Sequence, residues 1–167
     1  MTEMKSLTRR VTRSGDECGL TLIETLIAVT ILIVVASGLL ILFTVVVAQN
    51  EAQGDLATRT TEYSQDKMEL LITLAFNDPA LGGTMAASST VGSVPPTAPV
   101  TNYVDYLDIN GNVATSATAE YTRQWSISTD STASLKTITV VVTSLVSRGP
   151  QGKAPSTTVV CVKSNGL

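Results

Sequence analysis

The 167-residue chain contains no histidine and only two cysteines, Cys18 and Cys161. Without histidine there is no Ser/His/Asp or Cys/His nucleophile arrangement and no His-ligated metal site. Two cysteines so far apart are too few for a disulfide framework or a zinc site. Aromatic residues make up 4% of the chain against 44% hydrophobic residues, so a core has to be built from aliphatic and small side chains. Lys and Arg total 11 against 14 Asp and Glu, for a formal net charge of −3. That balance argues against a nucleic-acid footprint, which needs a basic face. An enzyme would be left with carboxylate, lysine or tyrosine chemistry, and no such cluster stands out. No catalytic residue, cofactor or metal is therefore expected.

What the chain has in abundance is one apolar run. Residues 1–19 are polar, with Lys5, Arg9, Arg10 and Arg13 followed by Asp16, Glu17, Cys18 and Gly19. Residues 20–48 (LTLIETLIAVTILIVVASGLLILFTVVVA) carry a single charge, Glu24. As a helix this run exceeds the roughly 20 residues needed to cross a bilayer. Basic residues cluster before it and none lies between residues 14 and 58, which predicts a cytoplasmic N-terminus and an exported remainder. A secretory signal would have an apolar region of about 7–15 residues and a small-residue cleavage site after it. An uncleaved membrane anchor fits length and charge, with Glu24 reaching water at the membrane edge.

Gly19 followed by Leu20, Thr21, Leu22, Ile23 and Glu24, with a basic leader before and a long apolar helix after, resembles the processing signature of type IV prepilins and type II secretion pseudopilins. In that family a membrane peptidase cuts on the cytoplasmic side, after the glycine, and the apolar stem stays in the mature protein. The resemblance makes Gly19 the residue before the cut, Leu20 the new, N-methylated terminus and Glu24 the fifth mature residue. Leu20 stands where phenylalanine is usual, and Asp16, Glu17 and Cys18 where basic residues are more usual. The partners implied are the prepilin peptidase/N-methyltransferase, other pilin or pseudopilin subunits met through the helix, and an inner-membrane assembly platform. The implied location is the bacterial inner membrane, with the C-terminal domain periplasmic, and then a pilus or periplasmic pseudopilus.

Within that resemblance Glu24 acquires a use. Cleavage leaves a positive α-amine on Leu20, and in a packed bundle the carboxylate of one subunit could meet the amine of a neighbour. In low dielectric such a pair is strongly attractive and either charge alone is penalised. The pair would thus report axial register during assembly. Loss of residues 1–19 removes four basic and three acidic side chains, leaving seven against eleven.

Residues 49–78 continue as an amphipathic helix. Ala52, Leu56, Tyr63, Leu70 and Leu74 recur at spacings of 4 or 7 and define its apolar stripe. Gly54 is a weak point where the helix could bend, and Asn77-Asp78-Pro79 is a stop. Residues 79–102, rich in Gly, Ser, Thr, Ala and Pro, read as an exposed or partly disordered connection.

Residues 103–167 change to strand texture. Asn110-Gly111 between short apolar stretches signals a hairpin. Tyr121, Trp125 and Ile127 alternate onto one face, as do Ile138, Val140, Val142 and Val146, and STTVVCV forms a last strand in which Cys161 reads as a small buried hydrophobe. Consecutive strands joined by short turns imply an antiparallel sheet with one face packed on the helix. The fold class is α+β and pilin-like: a long N-terminal helix and a small C-terminal antiparallel β-sheet.

The run from Tyr121 through Trp125 to Leu135-Lys136 also resembles PilV-type minor pilins. Major pilins commonly carry a proline where this chain has Ile41, which favours a minor subunit. A minor pseudopilin of type II secretion and an uncleaved membrane-anchored periplasmic binding module stay open as alternatives. Two sharper readings of the sheet region stay open too. Asp105, Asp108, Asn110 and Asn112 supply oxygens suited to calcium, although the EF-hand spacing fails. Arg123 beside Trp125 is either a recognition patch or, for Trp125, core.

Overall fold

The computed structural model describes residues 21–83, 86–146 and 154–166. The chain divides into two compact units, residues 1–43 and 44–167. Helix α1 (Leu22–Thr73) contributes to both.

In the first unit every described side chain is exposed, from Leu22 at 85% to Phe43 at 68%. This apolar stretch has no proline, so no backbone donor is lost. Many of its residues are β-branched and are modest helix formers in water. In hydrocarbon the choice narrows, because a backbone with no water to bond must satisfy itself. The helix is long and apolar enough to cross a membrane.

The second unit is a five-stranded antiparallel sheet faced by the remainder of α1. Its strands are β1 (Thr90–Gly92), β2 (Val104–Leu107), β3 (Tyr121–Thr129), β4 (Leu135–Ser144) and β5 (Ser156–Ser164). The last three follow one another as a meander. β1 and β2 both pair with β3, at Ser126–Ser128 and Tyr121–Gln124 respectively. The sheet presents Tyr121, Trp125, Ile127, Ile138, Val140 and Val142 to the core, where they meet Leu56, Tyr63, Met68 and Leu71 of α1. Tyr63 and Tyr121 stack edge to face at 5.2 Å, a favoured aromatic geometry.

The α+β arrangement expected from the sequence is thus present, with differences of detail that have physical causes. α1 ends at Thr73, runs through Gly54 without interruption, and buries a face rotated from the expected stripe. At about 100° per residue, Leu56, Tyr63 and Leu74 share a direction. Thr60, Ser64, Leu71 and Met68, all buried, extend that face to one side, and Leu70, on the other side, is 53% exposed. Thr60 and Ser64 fit because their hydroxyls bond Ala57 O and Thr61 O, and Thr60 also reaches Thr157 on β5. Val146 lies beyond β4. The connection after α1 is partly ordered: a 3-10 turn at Pro79–Leu81 buries Leu81, and β1 joins the sheet. Gly92 permits this close approach, since at φ 77° a Cβ would sit 2.3 Å from Trp125 O. The Asn110-Gly111 turn is a hairpin loop of the bulged kind rather than a two-residue one. Only Gly111 has positive φ, and the partner strand is reduced to one bridge, Leu107 with Val113.

The end of α1 carries no basic residue of its own in the last turn. The terminal carbonyls of any helix need donors from elsewhere, and two strand lysines serve the last turn of α1 and the segment that follows it. Lys163 donates to Ile72 O at 2.6 Å and to Leu74 O. Lys136, fully buried, donates to Phe76 O at 2.8 Å and Leu81 O at 2.9 Å, with its ammonium 4.7 Å from the centre of the Phe76 ring. The two lysines are register partners across β4 and β5. Like charges directly opposite are ordinarily unfavourable, and here each is aimed at a carbonyl pair. Replacing Lys136 by Met leaves two acceptors without a donor. Urea unfolding of the detergent-solubilised chain should show a stability loss of about 2–3 kcal/mol, with faster hydrogen exchange in residues 74–83, just after α1; unchanged stability would refute the clamp.

Candidate functional site

Helix α1 begins at a capped turn. Thr21 precedes its first residue, and the Glu24 N–H lies 3.0 Å from Thr21 O and 3.3 Å from Thr21 Oγ1. Thr21-Leu22-Ile23-Glu24 has the spacing of a capping box, of which only the half made by the Thr21 hydroxyl is formed. A negative charge in the first turn also meets the positive end of the helix dipole. Position 24 therefore has a local structural part, through its backbone N–H at the cap and its charge at the dipole, that the apolar-run reading passed over.

The polar side chains along the stem are otherwise turned inward on the helix. Thr25 Oγ1 donates to Leu22 O at 2.8 Å, Thr30 Oγ1 to Leu26 O at 2.8 Å and Ser37 Oγ to Ile33 O at 2.7 Å. Such back-bonding gives a hydroxyl a partner where no water is present. Glu24 differs: its carboxylate makes no hydrogen bond or ion pair with any described residue. Gly19 and Leu20, the expected processing positions, and Cys18 lie outside the described residues.

The sheet domain disposes of the other candidate groups. Asp105 on β2 pairs with Arg123 Nη2 at 2.7 Å and Lys67 Nζ at 3.1 Å. Lys67 also lies 3.7 Å over the Trp125 ring. Trp125 is buried and Arg123 points with it toward α1, donating to Tyr63 O at 3.2 Å, so the two do not form a surface recognition patch. Asp108 turns its carboxylate onto its own loop, accepting from Asn110 N at 2.8 Å, Asn112 N at 2.9 Å and Asn112 Nδ2 at 3.1 Å. The Asn112 bonds hold the Asp108 carboxyl below the usual carboxylate range. Asp105 and Asp108 are thus committed to separate partners, and no group of three or more acidic or thiol side chains among the described residues is placed to hold a metal. Arg59 and Tyr63 both donate to Ile109 O, at 2.7 and 3.0 Å, which fixes this loop on α1. Burial pushes the Lys136 ammonium down and the Tyr121 hydroxyl up from their ordinary values. Cys161 is half-buried against the core and forms no disulfide among the described residues.

No family model matches the chain, and neither a curated protein nor a solved structure matches it. The cap at Thr21 can be tested by itself. Thr21→Ala should weaken the first turn by about 1 kcal/mol, seen as roughly fivefold faster exchange of the Glu24 amide in detergent micelles. An unchanged rate would remove Thr21 from the account.

Proposed function

We propose that this chain is a filament subunit of the type IV pilin class, most like a minor pilin of the PilV type, cut between Gly19 and Leu20 and methylated at Leu20. The observation that carries the reading is the stem: a fully exposed apolar helix whose hydroxyls are internally bonded and whose single carboxylate has no counter-charge among the described residues.

A membrane span alone would be served better by an uncharged residue at position 24. A filament subunit has a use for the carboxylate, because cleavage creates an amine at Leu20 that a neighbouring copy can present to it. The attraction of such a pair grows as water is excluded, and breaking a buried pair costs about 3–5 kcal/mol. The prepilin peptidase acts first, in the inner membrane with the N-terminus cytoplasmic and the sheet domain periplasmic. The apolar helix then enters the filament core. The work of the protein is assembly or modification of the fibre rather than catalysis, and Ile41, where major pilins commonly carry proline, favours a minor subunit.

Glu24→Gln keeps the shape of the side chain and removes its charge. The variant should insert in the membrane at wild-type levels, while its recovery in sheared filaments falls by at least about tenfold, a factor worth ~1.4 kcal/mol. Wild-type recovery would overturn the pairing role.

A further inference from the structure

Asparagine followed by glycine occurs twice, at Asn110-Gly111 and Asn165-Gly166. The sequence carries its own chemistry. The glycine nitrogen, unshielded by a Cβ, gives up its proton to solvent and attacks the asparagine Cγ. The Cγ–Nδ2 bond breaks, ammonia leaves, and a five-membered succinimide remains. Water then opens either carbonyl of the ring, giving aspartate or isoaspartate. The reaction requires that the glycine N–H be open to solvent and that the asparagine backbone rotate to bring the nitrogen onto Cγ.

The two pairs are held very differently. Gly111 N–H donates to Asp108 O at 3.1 Å, and the flanking Asn110 and Asn112 N–H groups are both bound by Asp108 Oδ1. Gly111 also lies against the ring of buried Tyr63, so close that a Cβ would fall 2.7 Å from Tyr63 Cε1. Rotation at Asn110 has to break these bonds and lift the loop from α1, to which Arg59 and Tyr63 tie it through Ile109 O. Asn165, in contrast, makes a single hydrogen bond among the described residues, from its N–H to Ser134 O at 3.0 Å. Asn165 and Gly166 are exposed, nothing lies within 4 Å of a Cβ built on Gly166, and its N–H makes no hydrogen bond to any described residue.

We propose that Asn165-Gly166 is a site of spontaneous covalent modification in the folded protein, converting to aspartate and isoaspartate, and that the loop around Asp108 protects Asn110-Gly111 from the same reaction. The product places a new carboxylate two residues after Lys163, whose ammonium holds the end of α1. Isoaspartate also inserts an extra methylene into the main chain directly after β5.

The test is peptide mapping by mass spectrometry of the detergent-solubilised full chain, aged at mildly alkaline pH, with a parallel sample aged in urea. Conversion adds about 1 Da, the signature of a labile asparagine. In the folded chain position 165 should convert at least about tenfold faster than position 110, and in urea the two rates should converge. Asp108→Ala should accelerate conversion at Asn110 and leave position 165 unchanged. Equal rates in the folded chain, or faster conversion at position 110, would overturn the proposal. So would a difference between the two positions that persists undiminished in urea, since it would then belong to local sequence rather than to the fold.

Discussion

A carboxylate in the first turn of an apolar helix is tolerable only where water, a helix dipole or a cation offsets its charge. Glu24 has the dipole, through the cap at Thr21, and it has no cation among the described residues. Elsewhere in the stem Thr25, Thr30 and Ser37 each bond a carbonyl of their own helix. What the stem offers to its surroundings is therefore apolar surface and one negative charge near its start. The proposed assembly role rests on that contrast.

The sheet domain meets a related demand at the other end of α1. A helix terminus leaves carbonyls that need donors; here Lys163 on β5 reaches Ile72 O in the last turn, and Lys136 on β4 holds Phe76 O and Leu81 O just after it. Lys136 and Lys163 thereby tie the order of the sheet to the position of the helix end, while Arg59 and Tyr63 hold the Asp108 loop in the last third of the same helix. Met68 and Leu71 pack on the strands between these two attachments, and Leu56 packs there ahead of them. Lys67, Asp105, Arg123 and Trp125 meet between the same two attachments.

Much of this was legible in the chain. The apolar run and its single glutamate, the alternation of Tyr121, Trp125 and Ile127, and that of Ile138, Val140 and Val142 all lead to the observed helix and sheet face. The lysines were harder. Lys136 has the same parity as Ile138, and Lys163 the same as Cys161, so alternation alone puts both on the core side. Lysine's usual preference for water argues the other way, and what decides is the position of the carbonyls at and just after the end of α1, a tertiary fact. The same holds for Thr60 and Ser64, which a hydrophobic pattern cannot count as core, and whose burial turns the helix face away from Leu70. β1 was hidden for a different reason: three residues in a Gly/Ser/Pro-rich stretch show no period, and β3 is what organises them. At the candidate site, Glu24 was conspicuous by its charge. Its cap was present only as the spacing to Thr21.

The central claim concerns what happens just before Thr21, and intact-mass measurement of the protein purified from its native membrane tests it directly. The account predicts a chain that begins at Leu20 and is heavier by one methyl substitution on its amine. A chain that retains Met1 and the basic leader would contradict it, since Glu24 would then have no neighbouring amine at Leu20 to meet.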